Sequence, residues 1–321
     1  MATIINTGIA TKFAGDVGDM LISSADTILF ELLKGSTLIL KESYSPAYGT
    51  IRIGGLSAVL DTCLYGELLA GIQSNMVSAF SMKIDGAVMA SATLYASHQT
   101  NTLDRNGRKK VLSHCDHDVC YPGHQHLLTL IGTGTARLYS ASGQQLGSVS
   151  VGNGDVPVTI DGDPAALFAS QYANGAYIEY TLNDGDGHPE TFRSHIDARR
   201  YADATLIRFL NMYDAPETLL VKLPLEVKPN FSDAVGTSYG TRNRYSINPT
   251  DEYTAVSGRL ASMAEYLLWR DFSMSRKAEV LHEGEWYPIV VTKPNFTRLS
   301  GGDNLSEAKV SFQMAMGTLM I

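Results

Sequence analysis

The sequence predicts a mainly β protein of the α+β kind, built from β-sandwich-like domains that each carry an amphipathic helix packed on a sheet. Three observations predict it. Short β-prone runs recur along the whole chain, separated by turn dipeptides such as Asp85-Gly86, Asp161-Gly162 and Glu283-Gly284. Only two stretches, Leu56 to Leu68 and Leu260 to Phe272, change to the three-and-four spacing of a one-faced helix. Nowhere do strands and helices alternate regularly, as they would in a doubly wound sheet.

Taken in order, Asp26 to Gly35 reads as a strand or short helix, too brief for periodicity to decide. Ser36 to Glu42 alternates as a strand. Ser45, Pro46 and Gly49 then turn the chain into Thr50 to Ile53, which predicts a hairpin closed by Gly54 and Gly55. From Leu56 the positions Val59, Leu60, Cys63, Leu64 and Leu68 form the apolar stripe of a helix, with Cys63 as a small buried hydrophobe. Met76 to Tyr95 is a strand pair turning at Asp85-Gly86.

The centre holds strands at Ala136 to Ser140, Gly147 to Val151, Val156 to Ile160 and Ala176 to Leu182, a pattern that fits a small sandwich or an elaborated sheet. A hairpin follows over Leu206 to Val227, its polar turn made by Asn211, Asp214, Pro216 and Glu217. Ser257 is a candidate N-cap for a helix bearing Leu260, Met263, Leu267, Leu268 and Phe272. A hairpin about Glu283-Gly284 and a closing strand at Lys309 to Met316 complete the chain. The 321 residues thus divide into an N-terminal β-rich domain, 1–205, with a possible sandwich insertion at about 132–203, and a C-terminal strand-helix-hairpin module, 206–321.

Composition narrows the function classes. The chain is 44% hydrophobic and only 18% charged, which fits folded domains. Its net charge is −8 and no Lys/Arg run is longer than Arg108 to Lys110, so nucleic-acid binding is disfavoured for want of a basic stripe. The start lacks the basic and apolar regions of a signal peptide, and no run reaches about 18 apolar residues. The expectation is a protein made in the cytoplasm, without membrane insertion. Three cysteines are too few for a disulfide scaffold, so reduced thiols are expected.

Ser113 to His126, SHCDHDVCYPGHQH, is the densest cluster of nitrogen and sulfur donors. Cys115, His117, Cys120 and His124 form a candidate zinc set, because zinc takes about four such ligands in a tetrahedron. The spacing is not that of a finger, and an irregular polar loop explains the same letters. Ser113, His114 and Asp116 make a triad only on paper, since no G-x-S-x-G elbow exposes the serine. Gly132-x-Gly134 lacks the rest of a dinucleotide loop. Asn183 to Gly187 is rich in oxygens but lacks the later bidentate glutamate of a calcium loop. The expectation is a protein that is not an enzyme and needs no cofactor.

Leu40 to Asp61, the HLLTLIG stretch beginning at His126, Phe209 to Lys222, and the later SGRLASMAEYLLWRDF and EGEWYPIVVT together resemble tail and baseplate structural proteins of Bacteroides-type phages and prophages. The resemblance implies a distal-tail-like virion protein that forms a homo-oligomeric ring joining the tail tube to host-recognition parts. Its partners would be other phage tail proteins, with a host surface glycan as a further candidate. Two other classes remain open: a carbohydrate-binding adhesin, from the β-rich pattern and the tyrosines, and a zinc-dependent hydrolase using the Ser113 to His126 loop.

Overall fold

In the computed structural model, the structure describes residues 2–8, 12–98, 109–113, 117–183, 185, 187–260, 262–295 and 307–315. The first unit holds β1 (Thr3–Asn6), β2 (Met20–Ser23), β3 (Ile28–Lys34), β4 (Thr37–Tyr44), β5 (Thr50–Ile53), α1 (Leu56–Asp61), β6 (Gly71–Ile72), β7 (Val77–Ile84) and β8 (Ala87–Tyr95). Strands β1-β2-β5 make one sheet and β4-β3-β7-β8 another. Ile28, Phe30 and Leu32 alternate inward from β3, and Ile51 and Ile53 from β5, so both sheets line one core as in a sandwich. At the β7–β8 turn Asp85 and Gly86 adopt φ of 48° and 83°, the left-handed pair that a two-residue hairpin requires.

Two expectations fail in this unit. Thr50–Ile53 does not pair with β4 but crosses to β2, in register Met20↔Ile53 to Ser23↔Thr50. The helix from Leu56 ends at Asp61, although Leu64 and Leu68 are buried as its spacing demands. A close approach explains the early stop: at Gly66 an added Cβ would lie 2.1 Å from the carbonyl oxygen of Asp214. The chain leaves the helix to reach that contact, and tertiary packing buries the remaining leucines.

The central unit holds β9 (His117–Cys120), β10 (Leu127–Tyr139), β11 (Gln145–Asp161), α2 (Pro164–Phe168), β12 (Tyr177–Asn183) and β13 (Glu190–Ile196). Its sheet runs β6-β11-β10-β12-β13-β9, antiparallel except where β9 lies parallel to β13. Gly147 to Val151 and Val156 to Ile160 are therefore parts of a single 17-residue strand, and the sheet starts upstream of residue 132. Lys109 and Lys110 are buried: Lys110 Nζ donates to His188 O at 2.9 Å and Lys109 Nζ lies 3.3 Å from Glu190. Two of the three residues in the chain's longest basic run thus brace a sheet edge.

The last unit holds β14 (Thr205–Leu210), β15 (Pro216–Val221), β16 (Glu226–Lys228), β17 (Phe231–Ser238), β18 (Thr241–Pro249), β19 (Glu252–Val256), α3 (Met263–Ser273), β20 (Ala278–His282), β21 (Glu285–Asn295) and β22 (Lys309–Met314). Seven strands form the sheet β15-β14-β20-β21-β22-β19-β16, while β17 and β18 form a two-stranded sheet of their own. The N-cap of α3 is Ser262, whose Oγ accepts from Glu265 N at 3.1 Å. Ser257, the expected cap, instead accepts from Ala308 N at 2.8 Å. Trp269 and Phe272 carry the buried face of α3, and Phe272 packs 5.6 Å from Phe209 between ring centres. Full burial of a side chain of this size stabilises by about 2 kcal/mol or more. No helix among the described residues is long and apolar enough to cross a membrane.

Candidate functional site

The β14–β15 hairpin ties the three units together. Ile207, Phe209, Leu219 and Val221 enter the C-terminal core, whereas Met212, Tyr213 and Ala215 at its turn enter the N-terminal one. The turn is therefore buried, with Asn211, Asp214 and Glu217 at 1%, 3% and 5% exposure. Polar groups inside a core need partners, and here most find them in each other, while Asp214 Oδ2 is left without a hydrogen bond among the described residues. Asn211 Nδ2 donates to Leu112 O (2.8 Å) and Glu217 Oε2 (3.0 Å), while its Oδ1 accepts from Tyr213 N (2.9 Å) and Ala215 N (3.2 Å). Ser113 Oγ donates to Glu217 Oε1 at 2.8 Å, and His98 Nδ1 lies 3.1 Å from Asp214 Oδ1.

Burial, reinforced by the charge of Asp271, pushes the Glu217 carboxyl up to about 7 against the opposing hydrogen bonds from Asn211 and Ser113. Both of its oxygens are engaged by structural donors, so its chemical role is that of a fastener. Ser113 belongs to this hub; His114 and Asp116 lie outside the described residues.

Beside the hub a cleft of about 270 Å³ opens between the central unit and the C-terminal module. One side is β9 and the 121–126 loop; the other is β15, Lys222 and the first turns of α3. The loop is pinned from behind. Asp163 Oδ1 accepts from Gly123 N (3.0 Å), Asp161 Oδ1 from His126 N (2.9 Å), and Thr218 Oγ1 from Leu127 N (3.2 Å).

On the floor of the cleft, His126 Nε2 lies 2.9 Å from Asp118 Oδ2, close enough for charge attraction but off the line of a hydrogen bond. Burial is the largest single influence on His126 and lowers it, but the adjacent Asp118 carboxylate together with the charges of Glu217 and Asp161 outweighs burial and the imidazole is raised. Asp118 Oδ1 and Gln125 Oε1 are buried without a hydrogen-bond partner among the described residues. At the mouth, Lys222 Nζ donates to Glu265 Oε1 (2.9 Å) and sits 5.5 Å from the Tyr121 ring centre. Arg199 donates to Asp197, holding that carboxyl down to about 2.

The candidate zinc set divides over these features. Cys115 lies outside the described residues, as does the side chain of His117. Cys120 is fully buried in the core of the central sheet, its Sγ 3.6 Å from His195 O, and burial raises its thiol well above the usual range. A neutral, enclosed thiol is a poor metal ligand. His124 lines the cleft. Among the described residues no group of three or more His, Cys, Asp or Glu is placed to hold a metal. In the oxygen-rich turn, Asn183 Oδ1 accepts from Gly185 N at 2.9 Å, while Asp184 and Asp186 lie outside the described residues.

Sequence reasoning singled out the stretch containing Asp118, Gln125 and His126 but read it as an irregular polar loop or a candidate zinc set. It missed Lys222 and Glu265 as their neighbours, because no local spacing links residues about 100 to 150 positions apart.

No family model and no curated protein matches the chain. Among solved structures, a crystal structure of Salmonella alpha-2-macroglobulin reacted with methylamine is similar over 99% of this chain and 31% of that one, at 8% identity and a TM-score of 0.21. The chain spans about a third of that protein's length, and a likeness this distant carries no argument.

Proposed function

We propose that the chain is a structural virion protein of a phage tail tip or baseplate, assembling into a ring that links the tail tube to host-recognition parts. The observation that carries this reading is the β17–β18 hairpin. Among the described residues it forms no ladder with the other sheets, its turn residue Tyr239 is fully exposed, and Val235 is 48% exposed. A lone two-stranded ribbon is marginal in water, and its open edges invite pairing with another chain. An arm of this kind gains its order at a subunit contact, and repeated head-to-tail docking that closes on itself makes a ring.

The base of the arm is closed independently, by Thr250 N donating to Asn230 O at 2.7 Å, so the arm can be shortened without cutting the main sheet. Mass photometry and negative-stain imaging test the reading. Closed rings are expected from the full chain, and monomers after residues 231–249 are replaced by a short glycine link. A full chain that stays strictly monomeric at micromolar concentration would overturn it.

A further inference from the structure

We propose that the cleft between the central sheet and α3 is a binding site for a single neutral, hydroxyl-rich ligand of monosaccharide size. The proposal rests on the cleft alone and is independent of ring assembly. Its floor is built and incomplete at once. Asp118 is 8% exposed and fixed in β9, and Gln125 stands in the pinned loop, yet Asp118 Oδ1 and Gln125 Oε1 have no hydrogen-bond donor among the described residues. Buried acceptors left unmatched are costly, and a ligand that brings donors removes the cost.

Charge selects among such ligands. Lys222 and Arg199 at the mouth are already paired with Glu265 and Asp197, and Asp118 on the floor lies 2.9 Å from His126 Nε2, so an ammonium or an anion would have to break one of these pairs to bind. A neutral polyol meets neither conflict. Each sugar hydroxyl both donates and accepts, so one ring can donate to Asp118 and Gln125 at the floor and accept from the cationic side chains at the mouth. The opposite wall is apolar, with Leu206, Leu219, Leu220 and Leu268 offering a surface for the C–H face of a pyranose. At about 270 Å³ the cleft falls just under the range of roughly 300 Å³ and above typical of drug-sized ligands, which points to one ring.

The test is calorimetric titration and saturation-transfer NMR on the full chain. The probes are glucose, galactose, mannose and N-acetylglucosamine, with 1,5-diaminopentane as the cationic contrast. The expected result is saturable one-to-one binding of at least one sugar, with a dissociation constant on the order of 1 mM. Val119 lines the cleft and is 38% exposed, so Val119→Phe should narrow the site without unfolding the chain. It should weaken binding by roughly tenfold or more, and Gln125→Leu should weaken it several-fold. Should Val119→Phe lower the thermal midpoint, Val119→Lys serves as the occluding variant. The proposal is overturned if no sugar saturates, if the diamine binds in preference, or if sugar binding survives both the occluding variant and Gln125→Leu unchanged.

Discussion

Asn211 and Glu217 face each other across the β14–β15 turn, Asn211 Nδ2 donating to Glu217 Oε2 at 3.0 Å inside a hub that solvent barely reaches. The same carboxamide serves two backbone N–H groups and the Leu112 carbonyl, so Asn211→Ala strands several buried groups at once. Each unpaired buried group costs roughly 1–3 kcal/mol, and part of that is recovered by relaxation, giving an expected loss of about 3 kcal/mol. Urea denaturation checks it: the midpoint should fall while the slope stays constant. A loss below about 1 kcal/mol would mean that the hub does not depend on this side chain.

Glu217 makes the stability depend on pH. Its ordinary value is 4.5 and its folded value about 7, so between these limits the folded state holds a proton that the unfolded state has released. Stability then falls as pH rises, by about 1.4 kcal/mol per unit from this one group. His126, also raised, adds a loss of the same sign as pH climbs through its own range above 6.5. Glu217→Gln keeps the shape, and Ser113 Oγ can accept as well as donate, so the variant should lose most of the slope between pH 5 and 7. Its denaturation midpoint should exceed that of the parent at pH 8. An unchanged slope would place the titration elsewhere.

Much of the fold is written in local signals, and the rest depends on contacts no local window contains. Asp85-Gly86 and Glu283-Gly284 mark their hairpins because both residues of each pair take positive φ, which few dipeptides tolerate. By contrast, the spacing of Leu64 and Leu68 continues a helical stripe after the helix has ended, since burial by distant elements also satisfies it. Both Ser257 and Ser262 precede the apolar run, but Ser262 has Glu265 three residues on, the pairing that marks a capping box. The cleft was half legible: the 113–126 stretch announced itself by its donors, while β15 and α3 reach it only through the sheet that carries them.

Gly66 should not tolerate a side chain. The Cβ of Gly66→Ala would lie 2.1 Å from Asp214 O and 3.3 Å from Met76 Sδ, and the first of these neighbours is backbone in the buried turn. Overpacking of this kind costs typically about 1–3 kcal/mol, and a rigid hub puts the expected value at the upper end. Thermal unfolding should show a clear drop in midpoint. At Gly35, where an added Cβ meets nothing within 4 Å, the positive φ of 58° is the sole penalty, so Gly35→Ala should cost about 1 kcal/mol.

Cys120 should behave as core rather than as a reagent. It is fully buried, burial raises its thiol well above the usual range, and the charge of Asp118 raises it further. Nucleophilic attack needs the thiolate and an open path, and the fold withholds both. Cys63 is half-buried, its Sγ donating to Val59 O at 3.4 Å, so it has partial access. Native protein treated with iodoacetamide near pH 8 and mapped by mass spectrometry should show Cys120 unmodified while Cys63 reacts slowly. Both should label fully in guanidinium. Rapid native labelling of Cys120 would mean that β9 leaves the sheet edge readily, and with it the Asp118 side of the cleft.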